Sequence, residues 1–253
     1  MAWSLFLEDW SPAAALFLGL VAIYVFDVIL VRTRASCNAA NDRGQRWCFL
    51  HTFANSAVVL FGLKDLFVTL SNPAHSMSPV HRWSPVPGGF VSAIHIYHFL
   101  GFTVKPGDWF YHLAFALVGC CSSYLFNYGP IASVYFFFVC GLPGGVDYFL
   151  LGLVKERRLD PMRQRAISSW INVWIRAPGL AAVFAFAWAA YRTGDHAINL
   201  VVIAVLFVLS LFNGQYYLER VVGNYHFKLG QQSMATARDT TPAETATETP
   251  STR

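Results

Sequence analysis

Charged side chains are scarce in this sequence, at 13% of 253 residues, where soluble domains carry about 25%. With 55% hydrophobic residues and a mean hydropathy of +0.44, the chain is suited to a bilayer rather than to water. Strand-like alternation over ten residues is missing, which favours a helical bundle over a β-barrel. No basic stretch precedes the first apolar run and no small-residue cleavage site follows it, so that run reads as a retained helix. The five cysteines lack metal or disulfide spacing. Cys37 falls in a loop, whereas Cys48, Cys120, Cys121 and Cys140 fall in apolar runs as packing residues. No lysine lies in the last apolar run, which argues against a retinal Schiff base. Clusters of the HxxxH type, phosphate-cradling glycine loops and internal repeats are also missing, so neither a metal, a resident cofactor nor nucleic acid is expected.

Long apolar runs dominate what remains. About seven are long enough for a ~30 Å hydrocarbon core, roughly 12–31, 47–70, 88–105, 108–127, 131–154, 166–191 and 197–218. The expected fold is therefore all-α, a polytopic membrane helical bundle. The third run is short and interrupted, which leaves six spans as the alternative. Arg32, Arg34, Arg43 and Arg46 fill the loop after the first run, and Lys155, Arg157, Arg158, Arg163 and Arg165 the loop after the fifth. Lys105 marks the turn after the third. By the positive-inside rule these loops face the cytosol, which puts residues 1–11, with Glu8 and Asp9, in a lumen or outside. Residues 12–229 form the bundle. Residues 230–253, rich in Thr, Ala, Glu, Pro and Ser, read as a disordered cytosolic tail.

Polar residues inside apolar runs are functional candidates, because burial against lipid costs roughly 2.5–3.5 kcal/mol for a charged group. They concentrate between His95-Ile-Tyr-His98 and Asp108-Trp-Phe-Tyr-His112. His95 and His98 share a helix face, as do Asp108 and His112. In the second run His51 and Asn55 point the same way. The fifth and sixth runs each carry a proline–glycine break, at Pro143 and Pro178, close to Asp147, Asn172 and Arg176. At about 1.5 Å per residue, His51 and His112 lie a turn inside the cytosolic boundary, and His98, Asp147 and Asn172 two turns inside. His95 and Arg176 lie nearer the midplane. One polar layer in the cytosolic half is expected, with His51, His98 and His112 lining a single cavity. Arg176 is expected to pair with Asp147, and Asp27 with Arg32 or Arg34. The loop 71–87 is expected at the surface.

This order of residues resembles the TLC domain (TRAM–LAG–CLN8) family over roughly Arg46 to Val222. It rests on Arg46 to His51 at a helix start, a polar helix with His95 and His98, then Asp108 and His112, then the Pro/Gly-broken helix. The resemblance implies an integral membrane protein of the endoplasmic reticulum or related endomembranes that binds, senses or traffics lipid. His112 matches the second histidine of the family's pair and His51 an upstream family histidine. Asn55, His95, Tyr111, Asp147, Asn172 and Arg176 are the accompanying candidates for contacts to substrate. The ceramide-synthase branch implies an alternative: acyl transfer from acyl-CoA, as co-substrate, to a lipid amine or alcohol, with His51, His98 and His112 catalytic. The chain departs from that branch. Tyr111 stands for the first paired histidine, His98 for an aspartate, and the acidic run and homeobox-like segment are missing. A third reading, from 16% aromatic residues and short loops, is a structural subunit with a membrane-protein partner.

Overall fold

A computed structural model describes residues 10–34, 44–78, 83–103, 126–194, 196 and 198–240. Among them are six long helices and no strand. They are α1 Pro12–Thr33, α2 Gln45–Ser71, α3 Val86–Gly101, α4 Ile131–Lys155, α5 Pro161–Thr193 and α6 Leu200–Thr240. All but α3 are long and apolar enough to cross a membrane. The 16 residues of α3 span about 24 Å at a helical rise, short of a ~30 Å core. The chain is thus a multi-pass helical membrane protein. The run expected at 108–127, with Asp108, Tyr111 and His112, lies outside the described residues except for its last two positions.

Helix starts follow local chemistry. Ser11 accepts from the Ala14 N–H at 3.2 Å with Pro12 behind it, and Asp160 accepts from the Arg163 N–H at 2.8 Å ahead of Pro161. Each side chain satisfies a backbone donor left open at a helix start, and each proline sits where no donor is needed. Gly194, at φ 75°, ends α5 in the left-handed conformation that glycine adopts freely.

The helix α2 is the hub, packing against α1, α3 and α4. One core cluster joins α1, α2 and α3 through Ile23, Leu50, Val58, Phe90 and Ile94. A second, at the opposite end, joins Leu66, Met77, Val134, Val183 and Ile203. Large side chains such as Phe17, Leu60, Leu100 and Trp174 point outward, as lipid-facing positions should. Small residues set the closest helix approaches, as membrane packing requires. Gly144 and Gly145 admit Asn55, and Gly152 admits Phe49, so α4 lies tight against α2.

Neither proline break is a simple kink. A π-helical turn, Phe137–Gly141, precedes Leu142-Pro143, and another, Asn172–Arg176, precedes Ala177-Pro178. The Leu142 and Ala177 N–H groups donate five residues back, to Phe137 O and Asn172 O. Proline has no N–H to offer and its ring crowds the carbonyl four residues earlier; a widened turn relieves both.

Two expectations need correction. The helix α6 continues to Thr240, so residues 230–240 are helical where a disordered tail is expected. Its 41 residues span about 60 Å, twice a bilayer core, and residues 229–237 stand exposed. The loop after α2 is only partly a surface loop. Ser76 and Met77 are buried, Ile131 donates to Ser76 O at 3.1 Å, and Thr193 Oγ1 donates to Ala74 O at 3.0 Å. Nearby, buried Asp65 accepts from the Ser84 N–H at 3.1 Å, just ahead of α3, where a carboxylate favours the helix start.

Candidate functional site

The basic ends of the helices meet at one end of the bundle. Arg34, after α1, pairs with Glu156, after α4, and Gln45 Nε2 donates to Lys155 O at 3.1 Å. The ends of α1 and α4 therefore lie beside the start of α2. The residues one to three turns deeper form the candidate site.

Trp47 and His51 are four apart on α2 and share a face. His98 comes from α3 and Tyr148 from α4. Their rings form a continuous ladder. Trp47 stacks on His98 at 3.7 Å between centroids, His98 meets His51 at 4.5 Å, and His51 stacks on Tyr148 at 4.0 Å with 9° between planes. Phe102, a turn beyond His98, closes the edge of Trp47 at 5.1 Å. His51 is 6% exposed and His98 1%. His95 is half-buried and meets His98 edge-on at 5.8 Å. Asn55, a turn above His51, is buried against the glycines of α4.

The structure therefore brings together His51 and His98, with His95 and Asn55 beside them. Whether His112 joins them falls outside the described residues, as do Tyr111 and Asp108. Trp47 and Tyr148 are the members that the sequence reading missed. Trp47 was legible in principle, lying one turn before His51. Tyr148 was not, because nothing local says that α4 packs on this face of α2.

Asp147 and Arg176 do not form the expected ion pair. Asp147 accepts from Gln164 Nε2 at 2.8 Å and from the Ser168 hydroxyl, both on α5. Gln164 also donates to Ser168 Oγ at 2.9 Å, and Asn172 Nδ2 donates to Ser168 O at 2.9 Å. Arg176 lies further along α5 and turns toward α6. There Nη2 donates to Asn213 Oδ1 at 3.0 Å, and the guanidinium lies 4.1 Å from the Tyr217 ring. Along α5 the π turn Asn172–Arg176 follows Gln164 and Ser168, which face Asp147 of α4, and Arg176 at its end faces α6.

Asp27 also finds an unexpected partner. It binds neither Arg32 nor Arg34 but Arg46, whose Nε donates to Oδ1 at 2.6 Å while Nη2 donates to Oδ2. Tyr97 Oη donates to Asp27 Oδ2 at 2.5 Å. The fork of Arg46 fits both carboxylate oxygens. This triad ties α1, α2 and α3 together directly beneath the ring ladder.

No protein-family model matches the chain, and neither does any curated protein or solved structure with which it was compared. The geometry thus carries the functional argument. Among the described residues, no group of three or more His, Cys, Asp or Glu side chains is placed to hold a metal ion. Two imidazoles in stacking contact can donate to or accept from a bound headgroup. An indole face against one of them would hold it while charged, by cation–π attraction.

Proposed function

We propose that this chain binds and handles a membrane lipid, with the headgroup held at the His51–His98 end of the bundle. The observation that supports this reading best is the Trp47–His98–His51–Tyr148 ladder. Two buried imidazoles from different helices stand together inside an otherwise apolar bundle. Maintaining them there has a cost that simple helix packing could avoid. The TLC-like order of His51 and His112 agrees with a lipid role and with an endomembrane location. The 4.5 Å between the His51 and His98 rings also favours a second reading, acyl transfer from acyl-CoA with one imidazole as general base.

Native lipid extraction from the purified full chain, followed by mass spectrometry, tests the binding reading. The wild type is expected to retain a defined lipid class, and His51→Phe with His98→Phe to lose it while still folding. Phenylalanine keeps the ring contacts and removes only the hydrogen-bonding nitrogens. Equal lipid content in wild type and double variant defeats the proposal. For the acyl-transfer reading, His112→Ala is the companion variant, assayed with acyl-CoA and mixed lipid acceptors. Loss of product with lipid retained supports it, and no product from the wild type rules it out.

The proposal includes an orientation, with the Arg34–Glu156 end and the C-terminal helix facing the cytosol. Arg34, Lys155, Arg157, Arg158, Arg163 and Arg165 cluster there, consistent with the positive-inside rule. Protease added to sealed vesicles with their cytosolic face outward should remove the exposed part of α6 after Tyr225 before any other segment. Protection of that segment reverses the topology.

A further inference from the structure

Arg176 presents a charge problem that the bundle leaves open. It is the sixteenth residue of α5, about 22 Å from the helix start, and so lies close to the middle of the span. It is 9% exposed. A cation at that depth needs an anion or a wet cavity. Among the described residues no carboxylate forms an ion pair with it, and the carboxylates held inside the bundle bind other groups. Asp147 accepts from Gln164 and Ser168, Asp27 pairs with Arg46, and Glu156 pairs with Arg34.

What Arg176 does have is neutral. Of its five N–H donors, one reaches Asn213 Oδ1, and its planar face rests on Tyr217. Its Nε is buried with no hydrogen-bond partner among the described residues. Asn172, a turn earlier on α5, also has a buried Oδ1 in that state. Asn213 is 1% exposed, so the polar groups that face Arg176 are not a solvated surface. The π turn Asn172–Arg176 frames the place, in keeping with the tendency of such turns to mark binding sites.

We propose that Arg176, with Asn172, Asn213 and Tyr217, forms a deep site between α5 and α6 for the oxyanionic head of an amphiphile, a carboxylate or a phosphate. Arginine matches either head with parallel N–H donors, and a desolvated charge-assisted pair is strong. The amide of Asn213 orients the guanidinium, and Tyr217 supports its face without competing for the anion. The Nδ2 group of Asn213, whose Oδ1 is held by Arg176, supplies a further donor at the rim, whereas Asn172 Nδ2 is held by Ser168 O and its open Oδ1 can accept only from a protonated head. The site, between α5 and α6, shares no residue with the histidine ladder and does not depend on the ladder's function.

The test is thermal unfolding of the purified full chain in mild detergent with three probes: palmitate, methyl palmitate and hexadecyl phosphate. The acid, the phosphate or both are expected to raise the melting temperature and to bind at least about tenfold tighter than the uncharged ester. The stronger of the two names the head. Arg176→Gln should abolish the difference between acid and ester while leaving the ligand-free protein at least as stable, since it removes an incompletely paired buried charge. Equal shifts with the acid and the ester, or no shift with any probe, overturn the site. So does an acid-specific shift that persists in Arg176→Gln. If that variant does not fold, the comparison of headgroups on the wild type decides the matter alone.

Discussion

Asp27→Ala is expected to destabilise the bundle by about 3–5 kcal/mol, the largest loss from any single polar substitution in it. The carboxylate is 4% exposed. It accepts from Arg46 Nε at 2.6 Å, from Arg46 Nη2, and from Tyr97 Oη at 2.5 Å. Truncation would leave Arg46 at the start of α2 with its charge facing a hole, with the Tyr97 hydroxyl and the Phe102 ring at 4.9 Å as its remaining contacts. Removing both charges together, as Asp27→Ala with Arg46→Met, should cost less than the sum of the single changes, because neither partner is stranded. Tyr97→Phe should be milder, at roughly 1.5–3 kcal/mol for one hydrogen bond to a charged acceptor. Denaturant unfolding in detergent micelles measures the wild type, Asp27→Ala, Arg46→Met, their double variant and Tyr97→Phe. Additive losses in the cycle would show that the fork between Asp27 and Arg46 contributes nothing, and would remove the triad from any account of how α1 is held.

That triad also shows where the sequence is silent. Asp27 near the end of one apolar run and Arg46 at the start of the next are visible as boundary residues. Their pairing is not, because Arg32 and Arg34 are nearer in sequence and satisfy the same rule. The tertiary structure chooses Arg46 because it stands one turn before Leu50, which packs in the same core cluster as Ile23 of α1. Arg34 is drawn instead to Glu156, which the chain reaches only after α4 is in place.

The helices themselves were legible. Their apolar runs near 20 long stand out in the sequence, but not all their ends do: the sixth run was expected from 166, whereas Asp160-Pro161 starts α5 five residues earlier and Gly194 ends it. The convergence of His51 and His98 was legible too, since antiparallel helices put the first turns of one beside the last turns of the next. The rotational setting of each helix was not. Asp147 and Arg176 share a polar layer by depth, yet Asp147 meets Gln164 and Ser168 while Arg176, at the end of the π turn, faces α6. A proline signals that the ladder of backbone hydrogen bonds must break, but not whether a kink or a widened turn absorbs the break. The same limit applies to Tyr148, which needs the glycine face of α4 to reach His51.

Glycine offers the second large effect, at the crossing of α1 and α3. Ala15 and Gly19 on α1 face Gly89 and Ala93 on α3, each pair four residues apart. A Cβ at Gly89 would lie 2.6 Å from both the carbonyl carbon and oxygen of Ala15. Those atoms are backbone and cannot swing aside as a flexible side chain could. Gly89→Ala should therefore force the two helices apart and lose packing around Ile23, Ala93 and Ile94, a destabilisation of about 1–3 kcal/mol. In an unconstrained helix the same change goes the other way, by roughly 0.5–1 kcal/mol, because alanine gives up less backbone freedom on ordering. Gly223, on the exposed part of α6 with nothing within 4 Å of an added Cβ, supplies that control. Unfolding of Gly89→Ala and Gly223→Ala side by side should give shifts of opposite sign, the first down and the second level or up. Because α3 carries His98 and Tyr97, Gly89→Ala should also loosen the ring ladder, read as a change in Trp47 fluorescence against a background in which the other tryptophans are replaced by phenylalanine. A Gly89→Ala protein as stable as the wild type would mean that α1 and α3 can separate at no cost, and that small residues do not set this crossing.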